Sequence, residues 1–312
     1  MAQTVLITGG TGLVGKSLTK ALILKGYHVI ILSRTTADKK NTGNISYAQW
    51  NVKKQEIDTA ALQAADYIVH LAGAGVVDRK WTAAYKKEIV ESRTESSRLL
   101  IDALTSNTNK VKAVVSASAI GWYGADGEPA VPFTEEAAAD NSFLGQTCKL
   151  WENSIEPVTG LGKRLVKLRT GIVLSNDGGA LPEFKKPIRL GMAAILANGK
   201  QMVSWIHMDD LCNLFIAAIE NEKMQGSYNA VAPEPVSNKT LTLTLAKAMN
   251  GKWYLPVHAP AFVLKIMMGE RSFEVLKSTT VSCKKILDAG FIFTFKTIEA
   301  AVQNLVTTKD RH

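Results

Sequence analysis

The sequence is poor in cysteine, and the little it has is scattered. Cys148, Cys212 and Cys283 are the only three among 312 residues. None has a partner at the short spacing of a metal-binding motif, and an odd number argues against a disulfide framework. We therefore expect no metal site and a reducing, cytoplasmic setting. The first residues, MAQTVLITGG, lack the basic stretch and long apolar core of a signal peptide. No apolar run is long enough to cross a bilayer, so we expect no membrane association.

A concentrated charge of one sign is also absent. Lysine and arginine number 37 against 28 aspartate and glutamate, a formal net charge of +9. The excess is spread along the chain, and its densest clusters are short, such as Lys39-Lys40. A nucleic-acid-binding surface needs a basic stripe interleaved with aromatic residues, so we expect no nucleic-acid partner. The remaining interpretations are ordinary solvated surface or attraction of a phosphate-rich ligand.

The first half of the sequence alternates short apolar runs with helical patterns. We predict strands over 4–8, 27–32, 45–50, 67–71, 111–116 and 165–173. We predict helices over 16–25, 60–65, 82–104 and 146–155. Near-continuous apolar strands between helices indicate a parallel sheet covered on both faces. The predicted fold class is therefore α/β, a Rossmann-type doubly wound parallel sheet.

The second half follows a looser pattern. Glycine and proline interrupt it after the sixth predicted strand, and helices are predicted again only over 241–249 and 260–268. These features predict a smaller C-terminal lobe. We expect the nucleotide-binding domain to span 1–175 and to be rejoined by about 203–232, with the smaller, substrate-shaping lobe in 176–312.

A glycine-rich turn follows the first strand and opens the first helix. Its glycines, Gly9, Gly12 and Gly15, have the order Gly-x-x-Gly-x-x-Gly. The first permits a tight turn, the second lets a pyrophosphate approach the backbone, and the third lets the helix pack on the sheet. The strand–turn–helix context makes the pattern specific for a dinucleotide. The predicted phosphate-binding residues are Gly9, Thr11, Gly12, Leu13, Val14 and Gly15.

The end of the second strand predicts which dinucleotide binds. A site for NAD usually has an acidic residue about 20 residues beyond the glycines, where it holds the ribose 2′-hydroxyl. This sequence has Ser33 and Arg34 there instead. A carboxylate would repel a 2′-phosphate, whereas a guanidinium binds one through two hydrogen bonds. We predict NADP as the cofactor; an ordinary surface arginine is the alternative interpretation of Arg34.

Several motifs resemble those of a known superfamily. TGGTGLVG at 8–15 matches a TGxxGxxG turn, HLAGA at 70–74 and SASA at 116–119 match two strand ends, and WIHMDDL at 205–211 matches a (Y/W)IHxxDL segment. The sequence thereby resembles the extended and atypical short-chain dehydrogenase/reductases, which include nucleotide-sugar epimerases. With WYG at 122–124 and further short motifs, it is similar to YfcH-like NAD(P)-dependent epimerase-family proteins. These carry a C-terminal domain of unknown function and have no firmly assigned substrate.

The resemblance implies further cofactor contacts. An apolar and small-residue segment should line the pocket after the fourth strand, and an apolar residue at the end of the sixth should face the nicotinamide. Two charged residues on the long helix match positions near the ribose and phosphates, although a surface charge pair is the alternative interpretation. The residues implied are Leu71, Ala72, Gly73, Glu88, Arg93 and Ile172.

The catalytic residues of the superfamily are incomplete in this sequence. There the acid/base is the tyrosine of Tyr-x-x-x-Lys, assisted by a serine, and the lysine lowers the tyrosine pKa and holds the ribose. Lys149 falls at the place of that lysine, but Gly145 stands four residues earlier. Tyr123 or Cys148 could take part instead, with a structural role as the alternative for each. Ser118 is the best candidate for touching substrate. We take Ser118, Tyr123 and Lys149 as candidate catalytic residues, and Lys149 also as a cofactor ligand.

Two functions fit these observations. The first is an NADP-binding oxidoreductase or nucleotide-sugar-epimerase-like enzyme, acting on a small-molecule substrate that the sequence does not identify. The second is a non-catalytic NADP-binding sensor or regulatory protein, which the missing tyrosine favours. Association of two copies into a homodimer stays an open alternative.

Overall fold

Strands and helices alternate through residues 2–307, the part of the chain that this computed structural model describes. The strands are β1 (Thr4–Thr8), β2 (His28–Ser33), β3 (Ile45–Asn51), β4 (Glu56–Ile57), β5 (Tyr67–His70), β6 (Ala113–Ala119), β7 (Arg164–Thr170), β8 (Ile172–Ser175), β9 (Gly178–Gly179), β10 (Met192–Leu196), β11 (Met202–Val203), β12 (Trp205–His207), β13 (Gly226–Ala230), β14 (Val236–Ser237) and β15 (Leu255–Ala259). The helices are α1 (Leu13–Leu24), α2 (Thr59–Ala64), α3 (Ala83–Ser106), α4 (Phe143–Ile155), α5 (Ala180–Arg189), α6 (Met208–Glu220), α7 (Asn238–Asn250), α8 (Ala261–Met268), α9 (Ser272–Leu276), α10 (Lys284–Asp288) and α11 (Ile298–Thr307).

Eight strands form the main sheet, in the order β13-β7-β6-β5-β1-β2-β3-β4. Every neighbouring pair is parallel except β3 and β4, which are antiparallel. The strand order reverses between β1 and β5, and a crevice opens at such a reversal beyond the carboxyl ends of the strands. The predicted α/β, Rossmann-type class is confirmed, and the glycine turn lies at this crevice because it follows β1 directly.

The predicted strand over 165–173 is in fact two strands. Gly171 separates β7 from β8, and its amide donates to the carbonyl of Ala230. A Cβ atom at this position would lie 2.6 Å from the carbonyl oxygen of Ser204, so the chain passes a neighbouring backbone too closely for a side chain. Beyond the break, β8 pairs with β12 and β9 in a separate three-stranded sheet. Apolar residues resume directly at Ile172, and the close approach of the Ser204 backbone that requires Gly171 comes from a distant segment, so the sequence pattern did not locate the break.

The last part of the chain packs into the core of the nucleotide-binding sheet. Val281, Ile286 and Phe293 belong to the same buried apolar cluster as β1 and α6. The carboxylate of Asp210, at the start of α6, accepts hydrogen bonds from the backbone amides of Thr294 and Phe295 at 2.8 and 2.9 Å. A separate apolar cluster, between α5, α7 and α11, lies apart from the main sheet. None of the helices described is long and apolar enough to cross a membrane.

Candidate functional site

The glycine turn after β1 is built by close backbone contacts. Gly9 has φ +70°, a conformation that favours glycine, and a Cβ there would lie 2.8 Å from the carbonyl oxygen of Leu71. A Cβ at Gly15 would lie 2.4 Å from the carbonyl oxygen of Gly9. At Gly12 the carbonyl oxygen of Gly9, at 3.3 Å, is the sole atom of the described residues within 4 Å of an added Cβ. Two glycines therefore shape the turn, and the third leaves space above it.

The start of α1 is suited to an anion. Gly12 precedes the helix without a side-chain cap, and the first turn carries no acidic residue. Thr11 and Gly12 are exposed, while Leu13 and Val14 are half-buried. Uncapped amides and the positive end of the helix dipole both favour phosphate at this point. The predicted phosphate-binding residues thus lie together on one exposed turn.

A buried hydroxyl at the end of β1 fixes the facing loop. The Thr8 hydroxyl oxygen accepts from the amides of Leu71 and Ala72, each at 3.1 Å. Its proton is therefore available to Nδ1 of His70, 2.8 Å away. Burial, together with the positive charge of Arg93, lowers the pKa of His70 to about 3, so its ring is neutral at physiological pH. His70 is a structural residue that holds the loop against the crevice.

The end of β2 carries an unneutralised arginine. Arg34 is exposed and forms no hydrogen bond or ion pair with any other described residue. Leu32 is paired with Thr8 in the sheet, so Ser33 and Arg34 follow at the level of the glycine turn. Lys39 reaches back to this strand end, with its ammonium 2.5 Å from the Ser33 hydroxyl oxygen. Sequence reasoning treated Lys39 only as part of a surface cluster, because nothing local indicates that the loop folds back.

The two charged residues predicted on α3 are not brought together. Glu88 is on the exposed face, paired with Arg79 at 3.2 Å. Arg93 is buried, donates to the carbonyls of Ala74 and Ile89 at 3.0 and 2.9 Å, and lies over the ring of Trp151. A Cβ at Gly73 would approach its guanidinium carbon to 3.0 Å. Arg93 therefore lies beneath the loop that faces the crevice, and Glu88 lies on the opposite, solvent side of the helix.

The residues expected for the Tyr-x-x-x-Lys motif do not meet. Lys149 lies on the exposed face of α4, whereas Cys148 and Glu152 are on its buried face. A Cβ at Gly145 would lie 2.2 Å from the carbonyl oxygen of Asp140, so no larger residue fits there. The match of Lys149 to the lysine of the motif stays a prediction, because its side chain is exposed on this helix and a shift of one residue would turn it by about 100° around the helix axis. The structure gives Lys149 no contact that would place it beside Ser118.

Ser118 is committed to a buried ion pair. Its hydroxyl donates to Glu152 Oε1 at 2.7 Å, and it is 3% exposed. The same carboxylate accepts from Arg169 Nε at 2.8 Å and from Arg169 Nη2 at 3.0 Å. Ser227 donates to the second oxygen of Glu152 at 3.1 Å. The expectation that Ser118 touches substrate is therefore not supported, because its hydroxyl points into the interior.

Tyr123 belongs to the same buried network. Its hydroxyl donates to Asn229 Oδ1 at 2.6 Å and accepts from Arg169 at 3.0 Å. The side chain is fully buried, and burial raises the pKa of Tyr123 above the usual value for tyrosine. The phenol is therefore enclosed by protein, and both of its hydrogen-bonding roles are taken by Asn229 and Arg169. The sequence missed Arg169 and Asn229, whose partners lie far away along the chain.

Cys148 and Ile172 complete the predicted set. Burial raises the pKa of Cys148 to about 12, so it is an uncharged thiol and a poor nucleophile. Ile172 opens β8 immediately after the Gly171 break and is 39% exposed, which is unusual for an apolar strand residue. Ile172 therefore offers an accessible apolar surface. Of the predicted acid/base groups, Tyr123 is buried, Lys149 is directed to solvent and Cys148 is protonated.

Comparison with known proteins adds two family matches and close relatives. The NAD dependent epimerase/dehydratase family matches residues 5–148, and a domain of unknown function (DUF1731) matches residues 259–305. The epimerase family protein YfhF of Bacillus subtilis is 33% identical over 308 residues, 98% of this chain and 99% of that protein. An epimerase family protein of Staphylococcus aureus is 34% identical over 305 residues, 96% and 98% of the two chains. The crystal structure of the human epimerase family protein SDR39U1 with NADPH has a TM-score of 0.86 at 27% identity, covering 98% of this chain and 99% of that chain.

Proposed function

Because the chain belongs to the NAD-dependent epimerase/dehydratase family, as its motifs predicted, we propose that it binds NADP(H) at the β1–α1 turn. We further propose that it uses this cofactor for hydride transfer to or from a small molecule. The observation that carries the cofactor choice is the strand end at Ser33 and Arg34, where an exposed guanidinium stands in place of a carboxylate. The human relative SDR39U1, solved with NADPH, supports the same choice.

The residues of the turn fit this cofactor. The space above Gly12 accommodates a pyrophosphate, and the uncapped start of α1 supplies amide donors to it. Thr8 and His70 keep Leu71 and Ala72 in place against the crevice. When bound, NADP(H) supplies or accepts a hydride. The exposed Ile172 offers an apolar surface that a bound nicotinamide ring could cover.

The proton that accompanies such a hydride has to come from solvent or from the substrate. Tyr123 and Ser118 are sealed inside the network around Arg169 and Glu152. Lys149 is exposed on α4, and Cys148 is protonated. The chain's own side chains therefore bind and orient the reactants, and a tyrosine-dependent proton relay does not operate.

The test begins with calorimetric titration of the purified protein with NADPH and NADH. We expect NADPH to bind the more tightly, by at least tenfold, because a charge-assisted hydrogen bond contributes about 1.5–3 kcal/mol. A panel of carbonyl compounds with NADPH and of nucleotide sugars with NADP⁺ is then followed at 340 nm, with Gly12→Val as the blank. Equal affinity for both nucleotides contradicts the cofactor choice, and turnover that persists in the blank contradicts the site.

A non-catalytic NADP(H) sensor is the second candidate. The observation that favours it is the sealing of both Ser118 and Tyr123 away from the crevice. This candidate predicts tight NADPH binding with no oxidation across the panel. It also predicts a large change in hydrogen exchange on binding, most of all in the loop from Leu71 to Gly73. Reproducible turnover of any panel member excludes it.

A further inference from the structure

The loop after β2 folds back onto the strand that it leaves. Lys39 lies six residues beyond Ser33, and its Nζ is 2.5 Å from the Ser33 hydroxyl oxygen. The ring of Tyr47, on the neighbouring strand β3, lies 5.1 Å from the same ammonium. These two contacts hold Lys39 against Ser33, the residue that directly precedes Arg34.

The Ser33 hydroxyl already donates its proton within the protein, so it cannot donate to a ligand. It donates to the carbonyl of Thr35 at 2.8 Å and accepts from the Lys39 ammonium. Both of its roles are therefore occupied by the protein itself. Ser33 is 8% exposed, which further limits its contact with a bound molecule. Its contacts instead fix the direction of the Lys39 side chain.

The Lys39 ammonium keeps N–H donors that the described residues do not use. An ammonium has three N–H donors, and the contact with Ser33 uses one of them. No carboxylate pairs with Lys39 among residues 2–307. The ammonium is half-buried, so part of its hydration is already lost and its attraction for an anion is screened less than that of an exposed lysine. A positive group that is positioned, unpaired and partly desolvated is suited to a phosphate monoester.

We propose that Lys39 is a second ligand, beside Arg34, for the 2′-phosphate of the nucleotide, and that Ser33 positions Lys39 and does not bind the phosphate itself. This inference rests on the proposed binding of NADP(H). It assigns the selectivity to two cations, one at the end of β2 and one on the loop that returns to Ser33. The guanidinium is free to form two hydrogen bonds from the strand side, and the ammonium adds a point charge from the loop side.

The test is a set of dissociation constants for NADPH, NADH, 2′-AMP and 5′-AMP, measured by calorimetry on the full chain. Lys39→Met should weaken NADPH and 2′-AMP about tenfold, as expected for loss of a hydrogen bond to a charged group. Its affinity for NADH and 5′-AMP should be unchanged. Lys40→Met is the matched control, because Lys40 is exposed and adjacent, and it should leave all four constants unchanged.

Ser33→Ala tests the positioning role. It should weaken NADPH less than Lys39→Met does, and the double variant Ser33→Ala/Lys39→Met should be no weaker than Lys39→Met alone, since the two act through one contact. Additive losses overturn the positioning role. Normal NADPH affinity in Lys39→Met overturns the role of Lys39, and so does an equal loss of NADPH and NADH.

Arg34→Met separates this inference from the proposed function. If Arg34→Met loses NADPH selectively and Lys39→Met does not, the cofactor choice stands and the role of Lys39 falls. If the unaltered protein binds neither nucleotide, or prefers NADH, the proposed function fails and the inference falls with it. Thermal melting of each variant identifies any loss of affinity that arises from unfolding.

Discussion

Replacing Glu152 by glutamine tests whether Ser118 and its neighbours form a structural network. The Glu152 and Arg169 side chains are each 4% exposed, and two hydrogen bonds join them. Glu152→Gln preserves the shape of the side chain but leaves the Arg169 cation in the interior without its carboxylate. It also places an amide that donates where an oxygen now accepts. Removal of one partner from a buried ion pair typically destabilises a protein by about 3–5 kcal/mol.

The measurements are thermal and urea unfolding at pH 7. A loss of that size should lower the melting temperature on the order of 10 °C in a chain of this length. Glu183→Gln is the matched control, since its pair with Lys186 is exposed on both sides and should contribute no more than about 0.5 kcal/mol. Ser118→Ala should lose about 1.5–3 kcal/mol for the bond to a charged group and leave NADPH affinity unchanged. Stability within about 1 kcal/mol of the parent for Glu152→Gln refutes the reasoning.

Four further outcomes can be measured on single variants. Arg34→Asp should weaken NADPH by about 2–4 kcal/mol and spare NADH, and an equal calorimetric loss of both would remove the selectivity argument. Gly12→Val should stay folded by circular dichroism, since its Cβ meets one atom of the described residues, the Gly9 carbonyl oxygen at 3.3 Å, yet bind neither nucleotide; retained affinity would move the phosphate site elsewhere. Lys149→Met should bind NADPH normally, because Lys149 is exposed, and a clear loss would restore its expected role as a ligand. His70 has a folded-state pKa of about 3, so the unfolded chain takes up a proton that the folded chain refuses as the pH falls below about 6.5. Stability should therefore decline by up to about 1.4 kcal/mol per pH unit on acidification through that window, and His70→Gln should show a shallower decline by urea titration.

Local sequence rules were sufficient for the nucleotide half of the molecule. Strand β1, its glycine turn and strand β2 are determined by neighbours in the chain, and their bounds were predicted to within a few residues. The expected start of α1 at residue 16 was three residues late, because Gly12 opens the helix without a polar side chain to mark it. Apolar runs and glycine spacing reflect local backbone geometry, so they can be recognised in a single sequence.

The predicted catalytic residues are not brought together in the structure, for a different reason. The expected place of Lys149 depended on the rotation of one helix, and an error of one residue turns each side chain by about 100° around the helix axis. The role of Tyr123 depended on Asn229 and Arg169, which are 106 and 46 residues away. A buried hydrogen-bond network has no periodic signature, because each member is chosen by its distant partners and not by its neighbours. Residue type alone could not distinguish a catalytic tyrosine from a buried structural one.

The shared core of β1 and the C-terminal segment bears on how such a chain can be inherited. A recognisable sequence signature begins at residue 259, yet Val281, Ile286 and Phe293 complete the packing of the nucleotide-binding sheet. Residues Asp126 and Thr280 are tied in the same way, through amide and hydroxyl bonds of 2.7 Å. The two matched regions, 5–148 and 259–305, are therefore not independent, exchangeable domains. We therefore expect a chimaera of two distant relatives to be less stable than either parent unless both sides of this packing come from one of them.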